Sequence, residues 1–360
     1  MCHAARAGYA TARARRNGRF LDMKRLKAGV IGAGGLAMGI HLPVLAGLPG
    51  VELRAVCDCL PERLDAAAKA FEIPGAYLSY HDMLEKEALD AVFVFTQPDM
   101  LFRPACDCLL AGRHVFMEKP MGITAFQART LRDTAARQNR RLQTGFNRRH
   151  IPLVVEMVRR LRELTTVTHV EGRFYKYSSP SFYGGCSDAF ICDVIHVIDL
   201  VRHLAQGTAV KAVTMETADA DTGLASAWYS AIQFDNGVSG VVRANYGTGG
   251  RVHQFELHGP GASAYIDLGF GGAGCRGTIL LSGGSTYSLS AGPDGVPMRE
   301  EFDGMAIAGS DSYAVYYGYE AEVRHFTDAV LAQPDAGNGA QAGGDCATME
   351  LAQMLLDARM

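Results

Sequence analysis

The first half of the chain alternates short apolar runs with longer amphipathic stretches. The apolar runs, which favour strands covered on both faces of a sheet, lie at 27–31, 51–58, 90–96, 114–118 and 141–146. The amphipathic stretches, which favour helices, run to about residue 46 and over 61–71, 104–111 and 124–139. We expect Pro43 to kink the first helix and Thr124-x-x-Gln127 to cap the last. Because strands and helices alternate throughout, the pattern predicts a doubly wound parallel sheet over 26–147.

The pattern changes in the second half, where polar and apolar positions alternate with a period of two. Trp228, Ser230, Ile232 and Phe234 share one face of a predicted strand, and Asp235-Asn236-Gly237 then predicts a hairpin turn. Further strands are predicted at 252–258, 262–268 and 278–282, and helices at 152–163, 313–331 and 345–360. We expect an α+β domain over 148–360, with a largely antiparallel sheet that keeps one face uncovered.

Composition supports a folded protein of two domains. The chain has 360 residues, 48% of them hydrophobic and 20% charged, which excludes a disordered or fibrous protein. The net charge of −3 combines +7 in residues 1–27 with −10 in the remainder. Nucleic acid is therefore not expected as a partner, and residues 1–25 are interpreted as a basic, disordered tail.

The cysteines and the uncharged stretch at 28–51 bear on the compartment. Nine cysteines, an odd number, lie within apolar segments, which favours a reducing cytosol over a disulfide framework. The pairs Cys57-x-Cys59 and Cys106-x-Cys108 lack the spacing of a zinc knuckle, so we expect no metal. Seven glycines and two prolines make 28–51 a poor membrane helix. The sequence predicts a cytoplasmic protein with no membrane contact.

A glycine-rich turn follows the first predicted strand. Gly32-Ala33-Gly34-Gly35-Leu36-Ala37 has the form Gly-x-Gly-x-x-Ala and opens a helix, so its backbone can approach a pyrophosphate. Asp58 ends the second strand about 20 residues later, where a carboxylate accepts hydrogen bonds from a ribose and repels a 2′-phosphate. We predict a Rossmann dinucleotide-binding domain that binds NAD, with NADP possible if a cation lies nearby.

Two further positions are candidates for proton chemistry. Lys119 follows the strand at 114–118, and the carboxyl ends of such strands face the cofactor crevice. His196 lies three residues from both Asp193 and Asp199, which places all three on one face of a helix. A carboxylate beside an imidazole suits a general base near neutral pH. The alternatives are an ordinary surface lysine and a structural histidine bonded to a helix neighbour.

Taken in order, these motifs resemble the Gfo/Idh/MocA family of NAD(P)-dependent sugar and polyol dehydrogenases. The resemblance rests on the segments 32–37, 55–58, 111–120 and 145–149 and on His196-x-x-Asp199. It implies that Lys119 hydrogen-bonds the reacting oxygen while His196 transfers its proton. It also implies that Glu118 and Thr96-Gln97-Pro98 line the cofactor. Subunits would join through the open sheet face as a homodimer or homotetramer.

Two departures from the family pattern leave the substrate open. Many members carry Asp four residues before the histidine, where this chain has Cys192, so we expect Asp193 to take that role. Phe102 stands where relatives often carry His. The residues expected to face a sugar, cyclitol or polyol are Arg173, Tyr175, Lys176, Asp193 and His196. Tyr175 could equally be an ordinary surface residue of a strand.

The sequence therefore predicts an oxidoreductase that transfers a hydride between NAD(P) and a secondary alcohol or ketone. Two alternatives stay open: a glycoside hydrolase that retains NAD and works by transient oxidation, and a non-catalytic NAD-binding sensor. The presence of both Lys119 and His196 argues against the sensor, which has no need of them.

Overall fold

The computed structural model describes residues 25–269, 274–282, 298–334 and 339–360. The first sheet has six parallel strands in the order β3-β2-β1-β4-β5-β6. They are β1 (Leu26–Ile31), β2 (Val51–Cys57), β3 (Gly75–Tyr77), β4 (Ala91–Val94), β5 (His114–Met117) and β6 (Leu142–Thr144). This order is that of a Rossmann fold, and it confirms the predicted doubly wound parallel sheet.

Helices connect the strands of this sheet. They are α1 (Leu42–Gly47), α2 (Pro61–Ala70), α3 (Tyr80–Lys86), α4 (Phe102–Leu110) and α5 (Ala125–Arg137). A π-helical turn, Ala37–His41, precedes α1, and Pro43 lies in the first turn of α1, where its missing N–H is tolerated. The predicted cap of α5 is present, since Thr124 Oγ1 accepts from the Gln127 N–H. Gln127 Oε1 in turn accepts from the Ile123 N–H.

The second sheet has eight strands in the order β10-β11-β12-β7-β13-β14-β15-β16. They are β7 (His169–Tyr177), β10 (Ala209–Ala218), β11 (Ala225–Phe234), β12 (Ser239–Asn245), β13 (Gly247–Gly259), β14 (Ala262–Asp267), β15 (Arg276–Leu281) and β16 (Arg299–Asp303), with a separate small pair β8 (Ser181–Phe182) and β9 (Ser187–Asp188). All pairs in the large sheet are antiparallel except β7 with β12. The predicted hairpin at 235–237 joins β11 to β12.

Helices cover one face of the second sheet. The helices of this half are α6 (Pro152–Leu164), α7 (Ile195–Ala205), α8 (Gly304–Ala308), α9 (Tyr313–Tyr316), α10 (Tyr319–Ala332) and α11 (Gly339–Asp357). Helix α7 packs so closely on β7 that a Cβ at Gly172 would lie 2.4 Å from Val197. The other sheet face carries ion pairs such as Arg173 with Glu171 and Glu256. One face is therefore open, as the sequence pattern predicts.

The last two helices return to the first sheet. Val323, Phe326 and Val330 of α10 lie in the same core cluster as β1 and β4, and Phe326 packs edge-on against Phe93 with ring centroids 5.5 Å apart. Helix α11 contacts both α5 and α7. Part of the segment 148–360, predicted as an α+β domain, thus completes the core of the first sheet.

The structure corrects two predicted helices and adds two elements that were not predicted. The helix expected at 313–331 is broken at Gly318, whose φ of +85° suits glycine and where a Cβ would lie 2.4 Å from the Asn147 carbonyl oxygen. The helix expected at 345–360 begins earlier, at Gly339. Strand β3 and helix α3 were not predicted, because a strand of three residues is too short to show a period.

Three remaining expectations concern the tail, a membrane span and the cysteines. Residues 1–24, which form nearly all of the predicted tail, lie outside the described residues. No helix in the described ranges has both the length and the apolar character needed to cross a bilayer. Among the cysteines that the structure describes, all are free thiols, including Cys57, Cys59, Cys106 and Cys108.

Candidate active site

The glycine-rich turn lies at the carboxyl end of β1. Gly32 has a φ of +96°, and a Cβ there would lie 2.6 Å from the Phe95 carbonyl oxygen, so only glycine fits between β1 and β4. At Gly34 and Gly35, by contrast, a Cβ would meet no atom within 4 Å. The turn thus presents bare backbone to open space, which is what the close approach of a pyrophosphate requires.

Asp58 is held at the end of β2 beside this turn. Its Oδ2 accepts a hydrogen bond from the Ala33 N–H at 2.8 Å, and its Oδ1 accepts from the Leu60 N–H at 2.9 Å. The residue is 8% exposed, and that exposed part faces the cleft. Arg63 lines the same cleft. The fixed carboxylate suits ribose hydroxyls, and the arginine supplies the neighbouring cation that a 2′-phosphate would need.

A cleft of about 600 Å³ brings the predicted cofactor residues together. Its lining includes Gly32, Gly34, Gly35, Leu36, Asp58, Thr96, Gln97, Pro98, Glu118 and Lys119. Ala33 lies behind the turn with its N–H on Asp58. The Thr96 hydroxyl is buried without a hydrogen-bond partner. The open glycines, the fixed carboxylate and this unpartnered hydroxyl fit a bound dinucleotide.

Glu118 is a buried carboxylate with a partner of its own. Its Oε1 bonds His41 Nε2 at 2.8 Å, and the His41 ring stacks on Phe95 with centroids 4.1 Å apart. Burial would raise the pKa of Glu118, but His41 and the adjacent Lys119 outweigh it and the net pKa is lowered. Glu118 also accepts from the Lys119 N–H at 3.1 Å, so it orients the residue that follows it.

Lys119 reaches the residue next to Asp193 and acts on the Asp193 carboxylate through its charge. Lys119 Nζ donates to the Cys192 carbonyl oxygen at 2.7 Å, across the gap between the halves of the chain. Asp193 forms an ion pair with Lys176 and accepts from the Tyr246 hydroxyl at 2.8 Å. Burial opposes the Asp193 charge, but Lys119, Lys176 and these hydrogen bonds prevail and lower its pKa. Asp193 is therefore an ionised anchor for Lys176.

His196 lies beside these residues but does not pair with either aspartate. Within the described residues neither Asp193 nor Asp199 hydrogen-bonds it, and its Nδ1 is buried without a partner. Burial, followed by the charge of Arg148, lowers the pKa of His196 well below its ordinary value, so the imidazole is neutral. The expected carboxylate–imidazole pair is thus absent.

The cause is the local backbone. Residues Phe190–Val194 form a π-helical turn, so the α-helical spacing assumed for Asp193 and His196 does not hold. Asp199 is used elsewhere, since it pairs with Arg149 and accepts from the Thr348 hydroxyl at 2.7 Å.

The substrate residues predicted on β7 divide between the two sheet faces. The side chains of Phe174 and Lys176 lie on the helix-covered face, on the same side as Gly172, and Lys176 forms its ion pair with Asp193 there. Arg173 and Tyr175 alternate with them and lie on the open face, away from Lys119. The substrate role expected for Arg173 and Tyr175 is therefore not retained.

Sequence reasoning missed several residues of this region. Arg148, His253 and Tyr317 lie with His196, and His253 Nδ1 bonds the Tyr317 hydroxyl at 2.9 Å while its ring stacks on Phe174 at 4.2 Å. Two signals were available: Arg148 follows the carboxyl end of β6, and His253 alternates with the buried Phe255 on β13. Tyr317 had none, because it comes from a distant segment.

These features define a protein with a Rossmann nucleotide-binding domain and a second, open-faced sheet. Residues 26–146 match the model of the Gfo/Idh/MocA oxidoreductase family, described as an NAD-binding Rossmann fold. The match covers this domain alone, about a third of the chain, and makes it similar to the nucleotide-binding domain of that family.

Curated relatives share part of the chain. An inositol 2-dehydrogenase of Salmonella typhimurium is 30% identical over 184 residues, which are 50% of this chain and 54% of that protein. A D-apiose dehydrogenase of Paraburkholderia graminis is 29% identical over 62% of this chain and 61% of that protein. The chain thus spans about half the length of the inositol dehydrogenase.

Solved structures share the fold over nearly the whole chain. A dehydrogenase from Chromobacterium violaceum superposes with a TM-score of 0.80 at 18% identity, covering 94% of this chain and 96% of that one. A UDP-N-acetylglucosamine 3-dehydrogenase from Acidithiobacillus ferrooxidans gives 0.75 at 20% identity, covering 94% and 98%. The two-sheet architecture is therefore shared well beyond the matched family domain.

Proposed function

We propose that the protein is an NAD(P)-dependent dehydrogenase acting on a secondary alcohol, or the matching ketone, of a sugar, cyclitol or related polyol. The observation that carries this proposal is the position of Lys119. This residue lines the nucleotide cleft, and its Nζ reaches the segment that begins the His196 helix. A cation and a neutral imidazole therefore stand where a nucleotide and a second ligand would meet. The named relatives, which act on inositol and apiose, support the substrate class.

The proton chemistry falls to Lys119 and His196. Bound NAD(P) supplies the hydride acceptor or donor of such a reaction. Lys119 would exchange its hydrogen bond to the Cys192 carbonyl for one to the reacting oxygen. His196 is neutral and would accept the hydroxyl proton as alcohol becomes ketone. Asp193 holds Lys176 at the same site without touching His196.

The surroundings of Asp58 favour NAD. Both of its oxygens already accept a backbone N–H, which fixes the carboxylate so that it can also accept from ribose hydroxyls. Arg63 provides a cation in the same cleft, so NADP is the second cofactor to test.

The first test is Lys119→Ala. We expect turnover to fall by about 10²–10⁴-fold, the range for losing a positioned proton-transfer group, while NAD binding stays largely intact. Turnover is measured as NADH formation with a panel of sugars, sugar acids and inositols. Lys86→Ala is the control, because Lys86 is an exposed lysine paired with Asp82. Unchanged turnover in Lys119→Ala would refute the assignment.

The same assays separate the two alternatives. Release of the aglycone from an aryl glycoside without net NADH would indicate the hydrolase that retains NAD. Tight NAD binding with no turnover on any compound would indicate the sensor.

We also infer that a second copy of the chain covers the open sheet face. Beside its ion pairs this face exposes Val213, Met215 and Tyr265, which are 39%, 54% and 39% exposed. Val213 and Met215 lie together on β10 and Tyr265 lies on β14, and exposed apolar side chains on an uncovered sheet favour association. Light scattering should give a dimer or tetramer, and replacing Met215 and Tyr265 by Lys should shift the mass toward the monomer. A monomeric mass for the unaltered protein would contradict this.

A further inference from the structure

Arg148 is a buried cation without a counter-charge. It is 5% exposed, and its guanidinium packs over the rings of Phe174 and Tyr317 at 5.9 and 5.7 Å from their centroids. Its Nε is buried with no hydrogen-bond partner, and no described residue forms an ion pair with it. Burying an unpaired charge is strongly unfavourable, so such a group calls for a partner.

The carboxylates around Arg148 do not supply one. Each is bonded to another side chain or carries its own proton. They are Glu118 with His41, Asp193 with Lys176, Asp199 and Asp345 with Arg149, and Glu322. Both oxygens of Glu322 are buried without hydrogen bonds, and burial raises its pKa well above the ordinary value, so it is neutral. The described residues therefore leave the charge of Arg148 without a balancing carboxylate.

Arg148 lies within the proposed substrate site. It exerts the largest effect of any charged group on His196 and on His253, and Lys119 also acts on His196. Lys119 Nζ is bonded to a backbone carbonyl and not to a carboxylate. His196 thus lies within reach of three cations, Arg148, Lys119 and Arg251, while each nearby carboxylate of the described residues is already bonded to another side chain or protonated.

We infer that the substrate carries an anionic group, a carboxylate or a phosphate ester, which pairs with Arg148. The inference rests on the proposed dehydrogenase function and narrows it to acidic sugars or cyclitols such as uronates, aldonates or sugar phosphates. A guanidinium fork matches both anions with two parallel hydrogen bonds. The anion would also offset the cation that acts most strongly on His196, so the substrate would restore basicity to the imidazole that takes its proton.

The competing explanation is that Arg148 is purely structural and stabilised by stacking on Phe174 and Tyr317. That role requires no substrate charge, and it predicts that neutral and acidic sugars are treated alike. The two explanations therefore differ in a measurable preference.

The test compares matched neutral and acidic compounds on the full chain with NAD or NADP. The panel is glucose, gluconate, glucuronate, glucose 6-phosphate and myo-inositol, assayed on the unaltered protein, Arg148→Gln, Arg148→Lys and the control Arg159→Gln. Arg159 is an exposed arginine on α6 that pairs with Glu156 and Glu163. We expect kcat/KM for the preferred acid to exceed that for its neutral counterpart by about 30-fold or more. This preference should disappear in Arg148→Gln, return in part in Arg148→Lys, and persist in Arg159→Gln.

A pH profile separates an electrostatic role from packing. Loss of Arg148 removes a cation that lowers the pKa of His196, so with a neutral substrate the acidic limb of kcat/KM should move to higher pH. A residue that only packs would leave this limb in place.

Each outcome decides the inference. If the phosphate ester is preferred over the carboxylates, the anion is a phosphate and the inference stands. Equal kcat/KM for neutral and acidic compounds in the unaltered protein overturns it while the dehydrogenase function stands, whether or not Arg148→Gln folds. If nothing is turned over, calorimetry with NAD present decides. Acid binding that depends on Arg148 supports the anionic ligand, while the missing turnover counts against the dehydrogenase; no acid binding overturns the inference.

Discussion

Arg148 and Arg149 are neighbours in one short turn and have opposite surroundings. Arg149 lies between Asp199 and Asp345, with a hydrogen bond of 2.7 Å to the latter, and this buried network ties α7 to α11. Arg148 faces the other way, toward aromatic rings and two histidines. Their adjacency in sequence gives no hint of this difference, which depends on partners that lie far along the chain.

The glycines of the cofactor turn should respond differently to the same change. Gly32→Ala places a Cβ 2.6 Å from a carbonyl oxygen at a positive φ, so we expect the free energy of unfolding to fall by at least about 1–3 kcal/mol. Gly35→Ala adds a methyl group in open space, so stability should hold while NAD affinity falls. Thermal unfolding and NAD titration of both variants check this. Equal loss of stability in the two variants would contradict it.

At the residue scale, the sequence was most informative where one stretch of chain builds the site by itself. The glycine turn, Asp58, Glu118 and Lys119 all follow strands of one sheet, and the carboxyl ends of parallel strands share an edge. His196 was found, but the predicted pairing with Asp193 does not form, because a π-helical turn alters the spacing. His253 lies on β13 and Tyr246 lies between β12 and β13, and no single sequence reveals the register of these strands.

Among the elements, β7 shows how a one-residue shift changes the chemistry. Val170, Gly172 and Phe174 are buried under α7, which fixes Lys176 on the same side and sends Arg173 to the other. The apolar residues of β7 indicate which face each side chain occupies, because alternation from Val170 places Lys176 on the buried side. The polar residues at 173–177, considered alone, do not indicate the face.

Helix α10 contains a carboxyl group that should make stability depend on pH. The folded pKa of Glu322 lies well above its ordinary value of 4.5 because the side chain is buried. Above pH 4.5 the unfolded chain has lost this proton while the folded chain keeps it. Unfolding then releases a proton, so this group lowers stability as the pH rises toward its folded pKa.

Glu322→Gln removes that dependence. We expect its free energy of unfolding, relative to the unaltered protein, to increase with pH by up to about 1.4 kcal/mol per unit. Urea denaturation between pH 5 and pH 8 measures the difference. Glu320→Gln, on the same helix and paired with Arg324 at the surface, controls for the loss of one charge. A difference that stays constant with pH would refute the neutral buried carboxyl.

For the whole molecule, the two sheets share their supporting helices. Helix α10 completes the core of the first sheet, and α11 touches α5 and α7 at once. The pattern of the chain predicted two sheets correctly, but not this exchange, because amphipathic helices do not encode which sheet they will cover.

Shared helices should make unfolding a single event. Trp228, the one tryptophan of the chain, lies on β11 of the second sheet, so its fluorescence reports on that sheet. We expect its urea transition to coincide with that of far-ultraviolet circular dichroism, which reports on both sheets. The measurement requires only the unaltered protein. Two separated transitions would show that the halves unfold independently.

The contact between the turn at 147–150 and the segment before α10 links the effects of substitutions in these two segments. Asn147 Nδ2 donates to the Tyr317 carbonyl oxygen at 2.8 Å, and the two residues are 170 positions apart. Gly318, next to Tyr317, touches the Asn147 backbone just before Arg148. A substitution near 317 therefore repositions the side chain proposed to bind the substrate anion. If the protein evolved to use a different acidic substrate, we would expect substitutions near residue 148 and near residue 317 to occur together. A second-site suppressor of an Arg148 defect would then map near residue 317.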